Sequence, residues 1–374
     1  MLQSIFDAIP DPRSKQGQRY ELSYILLFSI FAMLSQATSY RKIHTFISTH
    51  VERLTTHFGL SWKRAPAYTT IRNIIQGLCP EDMEVAVQAA TALMQDPESE
   101  GVTFLSGDGK KLRHSFDRFA DRQAAEMLSL FAGDEGLILA QVDLADKSSE
   151  IPLVQSLLET LQVSDTIMTV DALHCQGDTV KTASDHAVDV LVQVKANQPT
   201  LLEDCQRTAD SAEPVDHYEE PVEKQRNRIE SRAVDVFPSD QVTDTDTWGD
   251  AIQSIIKVFR YREVFDTESK TWRDTSETSW YICTRLVDAE TYCKGIRQHW
   301  GVENRNHYVR DVTLCEDASR IRVNPTVFAR LRSLTLNILR ANHVKNISQE
   351  VYANALNFAR LFRYPELGLG MPSR

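Results

Sequence analysis

A mixed α/β fold with a helical N-terminal region and a β-rich insertion is the class this sequence predicts, and three observations carry it. Residues 1 to about 95 place apolar side chains at spacings of three and four, the signature of helices. From residue 103 the texture changes to short apolar runs ending at polar tips: VTFLSGDGK, AAEMLSLFAG, LILAQVDLAD, TIMTVDALH and DVLVQVKAN. Residues 214 to 250 are then rich in Glu, Asp, Pro, Ser and Thr, and three further strand-like runs emerge from them, RIESRAVDVF, IQSIIKVFRYREVF and TSWYICTRL.

The elements follow in order. The first region holds the apolar run LSYILLFSIFAMLSQA, then YRKIHTFISTHVERLTTHFGL, then YTTIRNIIQGL after Pro66, where Thr69 or Thr70 is expected to cap a helix carrying Arg72 and Asn73. A helix-turn-helix and plain helical packing both fit that piece. After three strands, IPLVQSLLETL reads as a helix, TIMTVDALH as a buried strand, Gln176 to about His186 as a polar helix and DVLVQVKAN as a second buried strand. Three strands, a helix, a strand, a helix and a strand form a mixed sheet flanked by helices, the skeleton of a ribonuclease-H-like core. TLLEDCQRTADSAEP reads as a helix before the acidic insertion. Helix resumes near Asp288, and RLRSLTLNILRAN and VYANALNFARLF add two amphipathic helices with Arg on their outer faces. The expected divisions are 1–95 (N-terminal helical, DNA-binding), 96–213 (first part of the core), 214–287 (acidic β-rich insertion) and 288–374 (C-terminal helical part of the core).

At 374 residues, 42% hydrophobic and 25% charged, the chain has the composition of a globular protein large enough for two or three units. Its longest apolar run is interrupted by Ser and Tyr and falls short of the roughly 18 to 20 residues a membrane span needs. No signal-peptide pattern precedes that run, so no membrane association is expected and the expected location is the cytoplasm. Six cysteines lie far apart without ligand spacing, which predicts reduced, buried thiols and neither zinc nor a disulfide framework. The net charge of −11 is unevenly spread: residues 11–72 carry nine Lys/Arg against three Asp/Glu and residues 291–374 thirteen against six. Residues 96–200 carry eight against eighteen, and residues 201–290 eleven against twenty-one. Such a distribution suits a protein that holds cations in its middle and phosphates on its flanks.

In VTFLSGDGK, Asp108 ends an apolar strand between Gly107 and Gly109, which allow close approach of a bulky ligand. In TIMTVDALH, Asp171 ends a second strand. If the two strands are adjacent and parallel, both carboxylates emerge at one sheet edge, where like charges force one to take up a proton unless a cation intervenes. Mg²⁺ binds a few carboxylates together with water and phosphate oxygens. Two such ions about 4 Å apart activate a nucleophile and stabilise the leaving oxygen of a phosphodiester. A third carboxylate is available in HWGVENRNHYVRD, residues 299–311. On an α-helix Glu303 shares a face with His299, Trp300, His307 and Arg310, while Asp311, Glu316 and Asp317 compete for the role.

Across almost its full length the chain resembles the bacterial DDE transposases of the ISAs-type insertion sequences, which include the H-repeat-associated proteins. The resemblance rests on IPDPRSKQGQRYEL, YTTIRNII, DGKKLRHS, KSSEIPLVQSLL, TVDALHCQ, VKANQPTL, RIESR, HWGVENRNHYVRDV and EDASRIR, in order and at long spacings. It implies a ribonuclease-H-like catalytic core with Asp108, Asp171 and Glu303 as the metal-binding triad. It also implies Mg²⁺ or Mn²⁺, two ions, as cofactor, transposon-end and target DNA as substrates, and a homodimer that pairs two ends. Gly107, Glu126, Ala196 and RNRIESR depart from the family pattern without touching the three carboxylates. The rival readings are a non-catalytic DNA-binding protein of the same fold and a host-adapted nuclease without strand transfer.

Secondary roles follow. Lys110, Lys111 and Arg113 are placed to neutralise scissile-strand phosphates, or form a solvated basic turn. Lys195, Asn197 and Gln198 contact DNA or brace the site. Arg228, Glu230 and Arg232 alternate along a strand and share one face, as DNA contacts or as a salt-bridge ladder. Trp300 stacks on a base or packs in a core. His299, Asn304, His307 and Arg310 are expected to support the third carboxylate or to contact DNA, His307 and Arg310 at its phosphates.

Overall fold

The computed structural model describes residues 1–95, 102–116, 123–144, 165–185, 188–225, 227–248 and 250–367. The side chains of Asp108, Thr182, Asp185, Gln225, Glu303 and Asn304 lie outside this description, as does the helix expected at IPLVQSLLETL. Five helices come first: α1 (Leu2–Asp7), α2 (Leu22–Leu34), α3 (Tyr40–Phe58), α4 (Tyr68–Gln76) and α5 (Pro80–Ala92). Then follow β1 (Thr103–Lys111), β2 (Glu126–Ala132), β3 (Leu137–Leu144), β4 (Thr166–Val170), α6 (Gly177–Asp185), β5 (Asp189–Val194) and α7 (Pro199–Ser211). The insertion supplies β6 (Asp216–Glu219), β7 (Glu223–Gln225), β8 (Arg228–Pro238), β9 (Ser254–Asp266) and β10 (Thr271–Cys283). Helices α8 (Ala289–Gly301), α9 (Pro325–Ala341) and α10 (Ile347–Leu356) follow.

The chain divides into two units, one formed by Met1–Ser99, Asp108–Glu150 and Val302–Arg374, the other by Glu100–Gly107 and Ile151–Gly301. The boundary expected at residue 95 therefore does not close a core. In the first unit the N-terminal helices, the hairpin β2–β3 and helices α9 and α10 share one hydrophobic cluster running from Leu2 through Phe131 and Ile138 to Leu367. Helix α2 is apolar all round, and every residue of it but Tyr24 is buried. In α3 the buried Tyr40, Ile43, Ile47 and Leu54 keep helical spacing, Ser39 caps the start, and Gly59 closes the end at φ +64°. Helix α4 begins at Tyr68 after Ala67, which offers no side-chain cap, so Thr69 and Thr70 lie inside the first turn rather than capping it.

The expectation of outward arginines on the C-terminal helices fails at α9. This helix is buried from Thr326 to Leu339, Arg330 and Arg332 included, because it is enclosed by packed neighbours. Burial of a guanidinium requires a partner. Arg330 has Glu84 at 2.7 Å and Asp143 at 2.8 Å, and Arg332 lies 4.5 Å over the Phe328 ring and 4.0 Å from Glu316. The same helix seals the edge strand β3. Asn337 accepts the Ile138 N–H (2.9 Å) and donates to the Ile138 carbonyl (2.8 Å). Glu84 accepts the Gln141 N–H (2.6 Å), and Arg330 donates to the Gln141 carbonyl (3.1 Å). An open edge is thus occupied by side chains instead of another strand.

In the second unit the strands lie in the order β1-β4-β5-β10-β9-β8-β6, with β7 also paired to β8. β1, β4 and β5 are mutually parallel, and β10 joins β5 antiparallel, Trp280 opposite Val194 and Cys283 opposite Leu191. The insertion therefore continues the sheet. Residues of six of these strands, among them Phe104, Ile167, Leu191, Val234, Ile256 and Tyr281, form one core with Tyr292 and Ile296 of α8. Asp288 starts that helix by accepting the Thr291 N–H at 2.7 Å. Cys175, Cys205, Cys283 and Cys293 are buried as expected, whereas Cys79 is exposed and Cys315 partly so. Among the described residues no helix is long and apolar enough to cross a membrane.

Gly295 lets α8 approach β1: a Cβ there would stand 2.3 Å from the Phe104 ring. Gly295→Ala should therefore lower stability by about 1–3 kcal/mol through overpacking, read as a fall in Tm. An unchanged Tm would show that the helix does not press on the ring.

Candidate active site

The condition set by the sequence, adjacent parallel strands carrying the two aspartates, is met by β1 and β4. Their register runs from Thr103 opposite Thr166 to Ser106 opposite Thr169, so TFLS and TIMT pair residue for residue. Ser106 Oγ and Thr169 Oγ1 are 2.8 Å apart and satisfy each other inside the sheet. Asp108 and Asp171 each follow two residues beyond this hydroxyl pair.

Asp171 is exposed, and its Oδ1 accepts the Ala172 N–H at 2.5 Å at the start of a short 3-10 turn. The loop it opens is held from β5. Asn197 donates to the Ala172 carbonyl (2.8 Å) and Gln198 to the Cys175 carbonyl (2.7 Å). Of the two roles open to Asn197 and Gln198, the structure displays the brace. On the α8 side, His299 Nδ1 lies 3.0 Å from Thr169 Oγ1. Ser106 and Thr169 were not singled out by sequence reasoning, although the signal was there: a hydroxyl two residues before each aspartate, following two apolar residues.

Past Gly301 the chain leaves α-helical geometry. Val302–His307 and Val309–Thr313 are π-helical, with the Leu314 N–H reaching back five residues to the Val309 carbonyl at 3.1 Å. The α-helical offsets used for residues 299–310 are therefore not kept past Gly301, since a π turn holds more residues than an α turn. Such π turns occur often at functional sites.

The three acidic competitors of Glu303 are already engaged. Asp311 pairs with Lys110, Glu316 with Lys110 (2.8 Å) and Arg310 (2.9 Å), and Asp317 with Arg113 (3.4 Å). Lys110 is only 9% exposed and Arg310 1%, so both turn inward, and the phosphate-contact role expected for them is replaced by membership of a buried ion cluster. Burial pushes the Glu316 carboxyl upward, but Arg310, Lys110 and Arg332 together outweigh it and hold the pKa down to about 2. Asp171, by contrast, has no cation partner among the described residues.

The remaining candidates divide by exposure. Lys111 and Lys195 are exposed, Arg113 is 73% exposed and Trp300 53%, and His307 is half-buried on the π segment. Arg232 is bound by Glu220 (2.9 Å) and Glu230, and Arg228 lies 3.4 Å from Glu230, so this face forms the salt-bridge ladder. Arg260 (2.9 Å from Glu230) and Arg297 (3.0 Å from Glu223) extend it. The N-terminal cations differ. Among the described residues, Lys15, Arg19, Arg41, Lys42, Arg53, Lys63, Arg64 and Arg72 have no ion-pair partner, and Arg41 and Arg72 lie 5.1 and 5.7 Å from the Tyr68 ring. No group of three or more His, Cys, Asp or Glu able to hold a metal occurs among the described residues, to which the side chains of Asp108 and Glu303 do not belong.

A mixed α/β protein with a ribonuclease-H-like core continued by a β-rich insertion is the class that the fold and sequence define. Residues 103–340 match the family described as Transposase DDE domain, and residues 3–89 match the region described as DDE_Tnp_1-associated. The chain belongs to this transposase family, whose domains use divalent metal ions. It is 28% identical over 343 residues to "H repeat-associated putative transposase YhhI" of Escherichia coli K12, covering 88% of each chain. It is 30% identical over 193 residues to "H repeat-associated putative transposase YbfD" of the same organism, covering 52% of this chain and 75% of that one. A piggyBac transposase synaptic complex with hairpin DNA aligns with 99% of this chain and 78% of its own at a TM-score of 0.42 and 8% identity.

The lowered Glu316 pKa sets a pH dependence. A glutamate of ordinary pKa 4.5 in the unfolded chain and about 2 in the folded one contributes stability fully above about pH 4.5, lost as pH falls toward 2. Over that window the Tm of the wild type should fall more steeply than that of Glu316→Gln. At neutral pH this variant should lose about 3–5 kcal/mol, having left buried cations uncompensated. Parallel curves would show that Glu316 does not carry its charge.

Proposed function

We propose that this chain is a metal-dependent DDE transposase that cleaves transposon-end phosphodiesters and joins the freed 3′-hydroxyl to target DNA. In this reading Asp108, Asp171 and Glu303 hold two Mg²⁺ or Mn²⁺ ions. The observation that carries it is the parallel β1–β4 register of TFLS against TIMT, with an aspartate two residues beyond each in the sequence. The donor set suits hard cations: Asp171 is exposed and carries no cation partner, while the acidic competitors of Glu303 are neutralised within the protein. When bound, the ions supply Lewis acidity to the attacking and leaving oxygens of an in-line phosphoryl transfer.

The chain's own residues do the rest. Asn197 and Gln198 hold the loop that Asp171 opens, and Thr169 and His299 tie β4 to α8. Lys111, Arg113 and Lys195 meet DNA phosphates near the chemistry, Trp300 stacks on an exposed base or sugar, and Arg228 and His307 contribute more weakly. The eight unpaired N-terminal cations give the duplex its main anchorage, a role that ion pairing denies Arg232. Two copies act together, since two transposon ends must be paired before joining.

Incubation of the full chain with DNA ends of its own element and Mg²⁺ should give cleaved and joined products. EDTA, Asp108→Asn, Asp171→Asn and Glu303→Gln should each lower the rate by about three orders of magnitude or more. Cleavage that persists in EDTA or in any one of these variants sinks the assigned site, and nicking without joining sinks the strand-transfer step. Replacing Arg41 and Arg72 together with Gln should weaken end binding and flatten its salt dependence by about two phosphate contacts. An unchanged salt slope places the duplex elsewhere.

A further inference from the structure

Lys110 was expected at the phosphates, yet its ammonium is spent on two carboxylates. It stands two residues beyond Asp108 on β1, and Asp311 and Glu316 follow Glu303 on the π segment and the loop after it, all within the first unit. Lys110 Nζ donates to Asp311 and, at 2.8 Å, to Glu316, which also accepts from Arg310 at 2.9 Å and has Arg332 of α9 at 4.0 Å. Three cations and two carboxylates thus join the end of β1 to the segment bearing Glu303 and to α9. π turns are rare, appear mostly as single-turn bulges within helices, and frequently sit at functional sites. Here the ion cluster sits at the C-terminal end of the π segment and grips the strand that carries Asp108.

We infer that Lys110 is a positioning residue: clamped by Asp311 and Glu316, it fixes the spacing of Asp108 and Glu303 and so prepares the carboxylates for metal before DNA arrives. This inference rests on the metal site proposed above. Groups that hold metal ligands in place govern affinity nearly as strongly as the ligands themselves. A lysine that contacted phosphate would be exposed in the free protein and indifferent to metal binding in the absence of DNA.

The test is Mn²⁺ binding to the full chain without DNA, followed by electron paramagnetic resonance, with near-ultraviolet circular dichroism as the check on folding. Lys110→Met should lower Mn²⁺ affinity about 10- to 100-fold, and Lys110→Arg should restore most of it. End-DNA affinity in EDTA should be the same in all three proteins, which a general loss of structure would not leave unmoved. Asp311→Asn removes the partner at the edge of the cluster while keeping Glu316 with Arg310, and should lower Mn²⁺ affinity in the same direction even if Lys110→Met does not fold. Loss of binding in Asp171→Asn with none in folded Lys110→Met or in Asp311→Asn overturns the brace alone. Undiminished binding in Asp171→Asn overturns the metal site on which it rests.

Discussion

The parallel pairing of β1 with β4 is the constraint on which the candidate site depends. It is specified by a hydroxyl pair in an otherwise apolar setting, Ser106 against Thr169, with Thr169 also 3.3 Å from the Leu105 carbonyl and 3.0 Å from His299. A slip of one residue would turn each side chain to the opposite face and strand two buried hydroxyls, at about 1–3 kcal/mol each. The register thus fixes the apolar stretch that precedes each aspartate, and α8, close-packed on β1 through Gly295, is tied to β4 by His299.

Much of this architecture was legible because the core strands write their burial into the sequence. VTFLSGDGK, AAEMLSLFAG, TIMTVDALH and DVLVQVKAN are apolar runs with no competing helical length, and each is a strand. The polar pieces were not legible. β6, β7 and the first half of β10 (TWRDTSET) are mostly exposed and keep their strand form through ladder hydrogen bonds to β8 and β9, which any side chain permits. The π segment was unreadable for a different reason, since a short run of five-residue turns leaves no periodicity distinct from an α-helix. Arg330 and Arg332 were assigned outward because their partners Glu84, Asp143 and Glu316 are distant or follow a turn, and sequence cannot display such pairs. At the proposed site, the two aspartates were singled out from strand ends and Glu303 from helical offsets and the family resemblance, whereas the inward turn of Lys110 and Arg310 was not legible.

Charge in this protein is organised by pairing as much as by position along the chain. The insertion is rich in acid, and its arginines 228, 232, 260 and 273 each have a carboxylate within 4 Å, as does Arg297 of α8. The N-terminal helices carry cations that meet aromatic rings or solvent instead. A net charge of −11 therefore says little about where a polyanion can settle. What matters locally is which cations have already been neutralised.

The sealing of β3 has a counterpart at β5. In the second unit β5 is interior only because β10 returns from the insertion to pair with it, while side chains of α5 and α9 block the exposed side of β3. The insertion is thus the lid on an otherwise adhesive strand as well as an addition to the sheet. A chain that lost it by deletion would carry a bare, apolar strand, DVLVQV, ready to recruit the same strand of another molecule. Loss of the insertion would appear first as self-association, before any question of catalysis arose.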